Sequence, residues 1–136
     1  MVAGMLMSVG NKIILDKLSC VSDNIKIRKQ LRIYRTKRNK EPFSKWLMSL
    51  KDRVTRARIR SRLDRLIAGY YGDYKLLSNG IKELRLHFGA GYRIYFAEQK
   101  NIIILLLCGG SKRTQTKDIK KAEKYWLELQ EREDEN

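Results

Sequence analysis

The sequence is poor in the residues that build metal centres, disulfide scaffolds and membrane anchors. It has one histidine, His87, and two cysteines, Cys20 and Cys108. The thiols stand far apart in no metal or redox spacing, which excludes a zinc motif, a disulfide framework and a thioredoxin-like pair as readings. Cys108 ends an apolar run and reads as a small buried hydrophobe. No carboxylate cluster precedes the acidic end, and there is no phosphate-binding nucleotide loop and no nucleophile triad. Neither a metal nor an organic cofactor is expected. The longest apolar run, Ile102 to Cys108, is far too short to span a bilayer. Met1 to Gly10 is weakly apolar but lacks a basic flank and a cleavage site, so no export signal is read and a reducing cytoplasm is expected.

Acid is the scarce charge. Against 30 Lys and Arg stand 15 Asp and Glu, a formal net charge of +15 over 136 residues. That length fits one domain with a modest core. A cationic excess of this size points first to a polyanion, because each phosphate neutralised releases counterions. An acidic protein partner comes second and an anionic membrane surface third.

Residues 1–26 differ from the rest. Met5 and Met7 offer alternative starts, Asn11 to Leu18 is weakly periodic, and the segment reads as an extension without an assigned role. Gln30 to Thr36 alternates as a strand does. Pro42 suits the first turn of a helix, and Phe43, Trp46, Leu47 and Leu50 fall on one face of it. Asp52 can cap a second helix that buries Ile59, Leu63, Leu66 and Ile67 and ends at Gly69. Tyr70 to Gly80 reads as a polar, aromatic loop. Lys82 to Phe88 and Tyr92 to Glu98 alternate strictly around a Gly89–Gly91 turn. Ile102 to Cys108 is apolar on both faces, as in an interior strand. Thr116 can cap a last helix carrying Ile119, Ala122, Tyr125, Trp126 and Leu129. Residues 131–136 read as an acidic tail, which leaves 27–130 as the domain. The predicted order is β-α-α-β-β-β-α, an α+β domain whose twisted sheet carries a helical hairpin on one face.

The alternation also sorts the polar residues. With Leu84, Leu86, Phe88, Tyr92, Ile94 and Phe96 turned to the hairpin, Arg85, His87, Arg93 and Tyr95 turn to the opposite face, which is expected to be open. Such a surface can hold a phosphate and stack a base. His87 could carry a proton near neutral pH. Ser111-Lys112-Arg113-Thr114, between a strand and a helix, is a plausible anion loop. The second helix carries Arg53, Arg56, Arg58, Arg60, Arg62 and Arg65, a rail for phosphates or for an acidic partner. Arg53, Arg56, Arg60 and Tyr95 are the expected RNA contacts.

Four stretches, in order, resemble the RelE/ParE superfamily of toxins in its HigB-like, addiction-module-killer branch. They are Pro42 to Asp52 before the arginine-rich helix, Ile81 to Arg85 with Gly91 to Phe96, Ile102 to Thr116, and Asp118 to Ala122. The likeness covers about residues 29 to 127. It implies a compact RelE-like fold and the toxin of a type II toxin–antitoxin pair. It implies a partner antitoxin of helix-turn-helix, HigA-like type. The expected activity is ribosome-dependent cleavage of messenger RNA without a metal, by attack of a ribose 2′-hydroxyl on the adjacent phosphate. Arg93 and Arg113 match cationic active-site positions, and Arg85 and Lys112 match less closely. The chain departs from the pattern in one respect. Several members carry a tyrosine shortly after the equivalent of Arg113, where this chain has Lys117-Asp118-Ile119-Lys120, so either His87 or Tyr95 substitutes or cleavage is weak or absent. ParE-like gyrase inhibition without cleavage, and a phage-derived nucleic-acid-binding module without catalysis, are the alternatives.

Overall fold

The computed structural model describes residues 28–135, so the extension expected over residues 1–26 lies outside the described residues. Strand β1 (Gln30–Ile33) leads to helices α1 (Pro42–Ser49) and α2 (Arg53–Ile67). Strands β2 (Tyr74–Leu76), β3 (Lys82–Leu86), β4 (Tyr92–Gln99) and β5 (Ile103–Ser111) follow, and α3 (Gln115–Asp134) comes last. The fold is α+β. Its five-stranded sheet runs β1-β5-β4-β3-β2, with β1 parallel to β5 and the other pairs antiparallel.

The local signals act largely as expected. Pro42 opens α1, where its missing N–H costs nothing. The Asp52 carboxylate accepts the Val54 amide at 3.2 Å and caps α2. Phe43, Leu47, Ile59, Leu63 and Leu66 of the hairpin pack on Leu84, Leu86, Ile94, Phe96, Ile104 and Leu106. Cys108 is buried, as read from its place at the end of an apolar run.

The other face of the sheet is not open. Ile81, Tyr95, Ala97, Leu105 and Leu107 form a second core there with Ala122 and Trp126 of α3. The apolar stripe of α3 has to be buried somewhere, and the hairpin already fills the first face. The helices therefore sandwich the sheet. Three further readings need correction. The Tyr70–Gly80 loop contains β2, too short and exposed to give a periodic signal. The last helix is entered through a 3-10 turn over Lys112–Thr114, closed by a reciprocal Ser111–Thr114 capping box, so Thr116 lies inside the helix and does not cap it. The acidic end is helical to Asp134, and Arg132 there donates to the Tyr34 hydroxyl at 2.9 Å, so no separate tail begins at residue 131. Among the described residues no helix is long and apolar enough to cross a membrane.

A polar knot ties the start of β1 to the middle of the domain. Glu98, its side chain only 11% exposed, accepts Lys29 Nζ at 2.7 Å and also receives Lys82 Nζ and the Tyr71 hydroxyl. Burial pushes the Glu98 carboxyl up, but the hydrogen bonds from Lys29, Lys82 and Tyr71 outweigh it and bring the pKa down to about 2. A carboxyl depressed by folding stabilises the protein above its unfolded pKa, and that contribution is lost as pH falls towards the folded value. Urea titrations from pH 7 down to pH 2.5 should show stability falling below about pH 4.5, with about 2 kcal/mol traceable to Glu98. In Glu98→Gln that part of the acid limb should be missing. An unchanged limb would assign the acid sensitivity to other carboxylates.

Candidate nucleic-acid interface

The β3–β4 pair sets two arginines side by side. Arg85 and Arg93 are register partners, and their side chains point to the α3 side of the sheet. Like charges directly opposed on a sheet repel. Arg85 is relieved by Glu83, whose carboxylate accepts its Nε at 3.1 Å. Arg93 has no such relief. It is 7% exposed, its Nη1 reaches the carbonyls of Gly91 and Tyr92 at 3.3 Å each, and its Nε is buried without a partner among the described residues.

A second cationic element reaches the same place from the other side. β5 pairs with β4 as far as Tyr92 opposite Ser111, and the Lys112 amide then donates to the Ala90 carbonyl at 3.4 Å. This puts the Lys112–Thr114 turn against the Gly91 backbone. The position a Cβ would take on Gly91 lies 3.3 Å from Lys112 Cβ and 3.8 Å from Arg93 Nη1. Lys112 and Arg93 thus flank one backbone point, with Arg113 exposed on the same turn and Arg85 one strand away.

The turn is held by contacts that the sequence reading did not single out. Asp118, in the first turn of α3, is buried and accepts the Thr114 hydroxyl. Its carboxylate packs on Gly110 so closely that a Cβ there would overlap it, and a Cβ on Gly109 would overlap the Trp46 ring. Bare backbone at these two positions is what lets α1 and α3 approach the end of β5. Between them opens a cleft of about 1000 Å³ with Trp46, Tyr92, Tyr125, Lys45 and Lys121 in its walls. It reaches Ser111 and Thr114 at the cationic turn.

Behind Arg85 lies a buried polar cluster. Glu83 is fully buried and accepts the Tyr95 hydroxyl at 3.0 Å and Gln115 Nε2 at 2.7 Å besides Arg85. Burial alone would raise its pKa, but hydrogen bonds from Gln115, Arg85 and Tyr95 hold it below the ordinary carboxylate range. Glu83 is therefore a standing negative charge that orients Arg85. Tyr95, expected to stack a base on an open face, is fully buried. Burial and the neighbouring Glu83 push its phenol far above its ordinary pKa. It can neither stack an incoming base nor give up a proton near neutrality, and Trp46, Tyr92 and Tyr125 supply the aromatic surface beside the cations.

The remaining residues separate. His87 lies beyond the end of β3, exposed at the sheet edge and paired with Asp73, where it lines a cleft with Arg85. That pairing is the largest cause of the lowered Asp73 pKa. The arginines of α2 do not form one rail. Arg53 and Arg60 are exposed, and Arg56, on their side of the helix, is half-buried and donates to the Leu50 carbonyl. Arg62 is buried and donates to the carbonyls of Tyr71 and Asp73 at 3.0 and 3.1 Å. Its spacing from Ile59, Leu63 and Leu66 places it on the buried stripe, a signal that was available in the sequence.

No family model matches the chain. A Haemophilus influenzae protein described as uncharacterized is 46% identical over 87 residues, which span 64% of this chain and 88% of that protein. Tyr95→Phe tests the corrected role of that residue. It should lower stability by about 1 kcal/mol in urea titration through loss of the Glu83 hydrogen bond. Affinity for a labelled RNA oligomer, read by fluorescence anisotropy, should not change. A loss of affinity at unchanged stability would return Tyr95 to the binding surface.

Proposed function

The chain belongs to one family with the Haemophilus influenzae protein, and for it we propose the function of a type II toxin that cleaves translated messenger RNA at the ribosome. One observation carries the reading. Arg93 is buried beside a second arginine with an unpaired Nε, which costs stability unless an anion completes it. A phosphodiester seated against Gly91 would meet Arg93, Lys112 and Arg113 together. The net charge of +15 favours the approach of RNA to the protein.

Each group then has a task. As the 2′-oxygen attacks phosphorus and the 5′-oxygen leaves, charge builds on the non-bridging oxygens. Arg93 and Arg113 offer permanent charge and a fork that matches them. Glu83 holds Arg85 in position. Bases flanking the scissile phosphate would lie on the Trp46–Tyr92–Tyr125 cleft, which keeps the strand in line for attack. The 2′-hydroxyl gives its proton to solvent water and the departing 5′-oxygen takes one from it, while His87, paired with Asp73 at the sheet edge, stands apart from the scissile phosphate. The cognate partner is an antitoxin of helix-turn-helix, HigA-like type. An acidic or amphipathic segment of it would cover this cationic surface.

Expression of Arg93→Ala or Arg113→Ala should relieve growth arrest while leaving the circular dichroism spectrum unchanged. Loss of one such group commonly costs about 2.7–4 kcal/mol of transition-state stabilisation. Primer extension on a translated message, in excess chelator, should show new 5′ ends with the unaltered protein and none with either variant. The ends should be absent when ribosomes are omitted. Growth arrest with intact message and blocked gyrase supercoiling would replace this reading with the ParE-like one. Tolerated expression without cleavage would leave only a binding module.

A further inference from the structure

The buried Arg62 belongs to a second cationic cleft, apart from the Arg93 turn. Its walls are the Arg58, Arg62 and Arg65 side of α2 and the strand-edge residues Asp73, Arg85 and His87, and its volume is about 350 Å³. The three helical arginines follow at i, i+4 and i+7, so they form a row with steps of about 6 and 4.5 Å along the axis. Among the described residues none of the three has an ion-pair partner. The one acid in the walls, Asp73, is taken by His87.

The cleft is built, not merely charged. Arg62 is 9% exposed, and two carbonyls hold its Nη2. Gly72, at φ +65°, lies where a Cβ would come within 2.6 Å of that nitrogen, so only glycine fits both the backbone and the guanidinium. Arg62 Nη1 is buried and has no partner among the described residues. At the rim, Arg58 sets its guanidinium 3.9 Å from the centre of the Phe88 ring, which fixes the fork in place. A desolvated cation with an unpartnered donor and two exposed cations in line with it, against a single carboxylate that His87 engages, form a receptor for a compact anion.

We propose that this cleft binds the phosphodiester backbone of single-stranded RNA at nucleotides away from any cleaved bond. Arg85 lies in its wall and is the register partner of Arg93, so a strand can run from the Gly91 turn past Arg85 into the row on α2. A small cleft with its charges spaced in a row suits successive phosphates better than it suits a helix of an acidic protein. Binding here requires no chemistry and stands whether or not the chain cleaves RNA.

The test uses the full chain and a fluorescein-labelled 2′-O-methyl dodecaribonucleotide, which has no attacking hydroxyl. Anisotropy is followed over a range of KCl concentrations for the unaltered protein, for Arg58→Gln/Arg65→Gln and for Lys120→Gln/Lys124→Gln. The two double variants lose equal charge at exposed positions, one pair on α2 and the other on α3, and matching urea midpoints would show both folded. The cleft variant should bind about tenfold more weakly at 0.1 M salt. Its salt dependence should be shallower by about 1.4, two phosphates at roughly 0.7 each for a single strand. The control pair should stay within about twofold of the unaltered protein. Equal losses in both variants would overturn the proposal in favour of a diffuse field, and no loss in either would also overturn it. A dodecaglutamate peptide supplies the remaining arm. If the cleft variant loses the peptide and keeps the RNA, the occupant is an acidic protein segment and the proposal fails.

Discussion

Asp118 rests its carboxylate on the bare backbone of Gly110, and the placement of the cationic turn depends on that contact. The carboxylate sits in the first turn of α3, where the partial positive charge of a helix start favours it, and it takes the Thr114 hydroxyl as a further donor. The turn over Lys112–Thr114 is thereby clamped at both ends, by strand pairing before it and by the helix after it. Charged side chains on an ordinary surface loop would sample many positions and lose entropy on binding. Here the backbone that carries Lys112 and Arg113 is fixed before any ligand arrives. The same close approach brings α1 and α3 to opposite walls of one cleft.

The cations of the chain fall into two kinds. Lys29 and Lys82 share Glu98, Arg35 pairs with Glu41, and Arg85 pairs with Glu83. These hold the fold together or orient a neighbour. Arg58, Arg62, Arg65 and Arg93 have no carboxylate partner among the described residues, and two of them are at least nine-tenths buried. Buried unpaired charge is among the most costly features a small domain can carry. At Arg62 it lines a cleft open to solvent, beside the Phe88 ring that holds Arg58. An even spread of surface charge would have carried no such cost.

Much of this was legible from periodicity, and the failures have definite causes. A period of 2 shows which residues share a face of a strand, so Leu84, Leu86, Ile94 and Phe96 were placed correctly beneath the hairpin. It does not show whether the opposite face is covered. Glu83 and Arg85 made that face look wet, although the stripe of Ile119, Ala122, Tyr125, Trp126 and Leu129 on the last helix needed a sheet to cover. Tyr95 was misplaced for that reason. Arg62 was grouped with its neighbours by residue type, when its position on the helix set it apart. The Glu83 cluster and the Asp118 contact join residues far apart in the chain, and no local pattern announces them. β2 is three exposed residues long, below the length at which alternation can be seen.

The pairing of β1 has a consequence for the order in which the chain can fold. β1 is an edge strand whose neighbour in the sheet is β5, with Gln30 opposite Ile103, and both helices of the hairpin and three strands lie between them in the chain. Loop closure of that length must be met before the contact forms, which marks the step as late and slow. α3 is the last described element, and it covers a sheet face that is incomplete until β5 has joined. Arg93 and Lys112 come together only through the pairing of β4 with β5, so the cationic surface matures with the sheet and not with any single element.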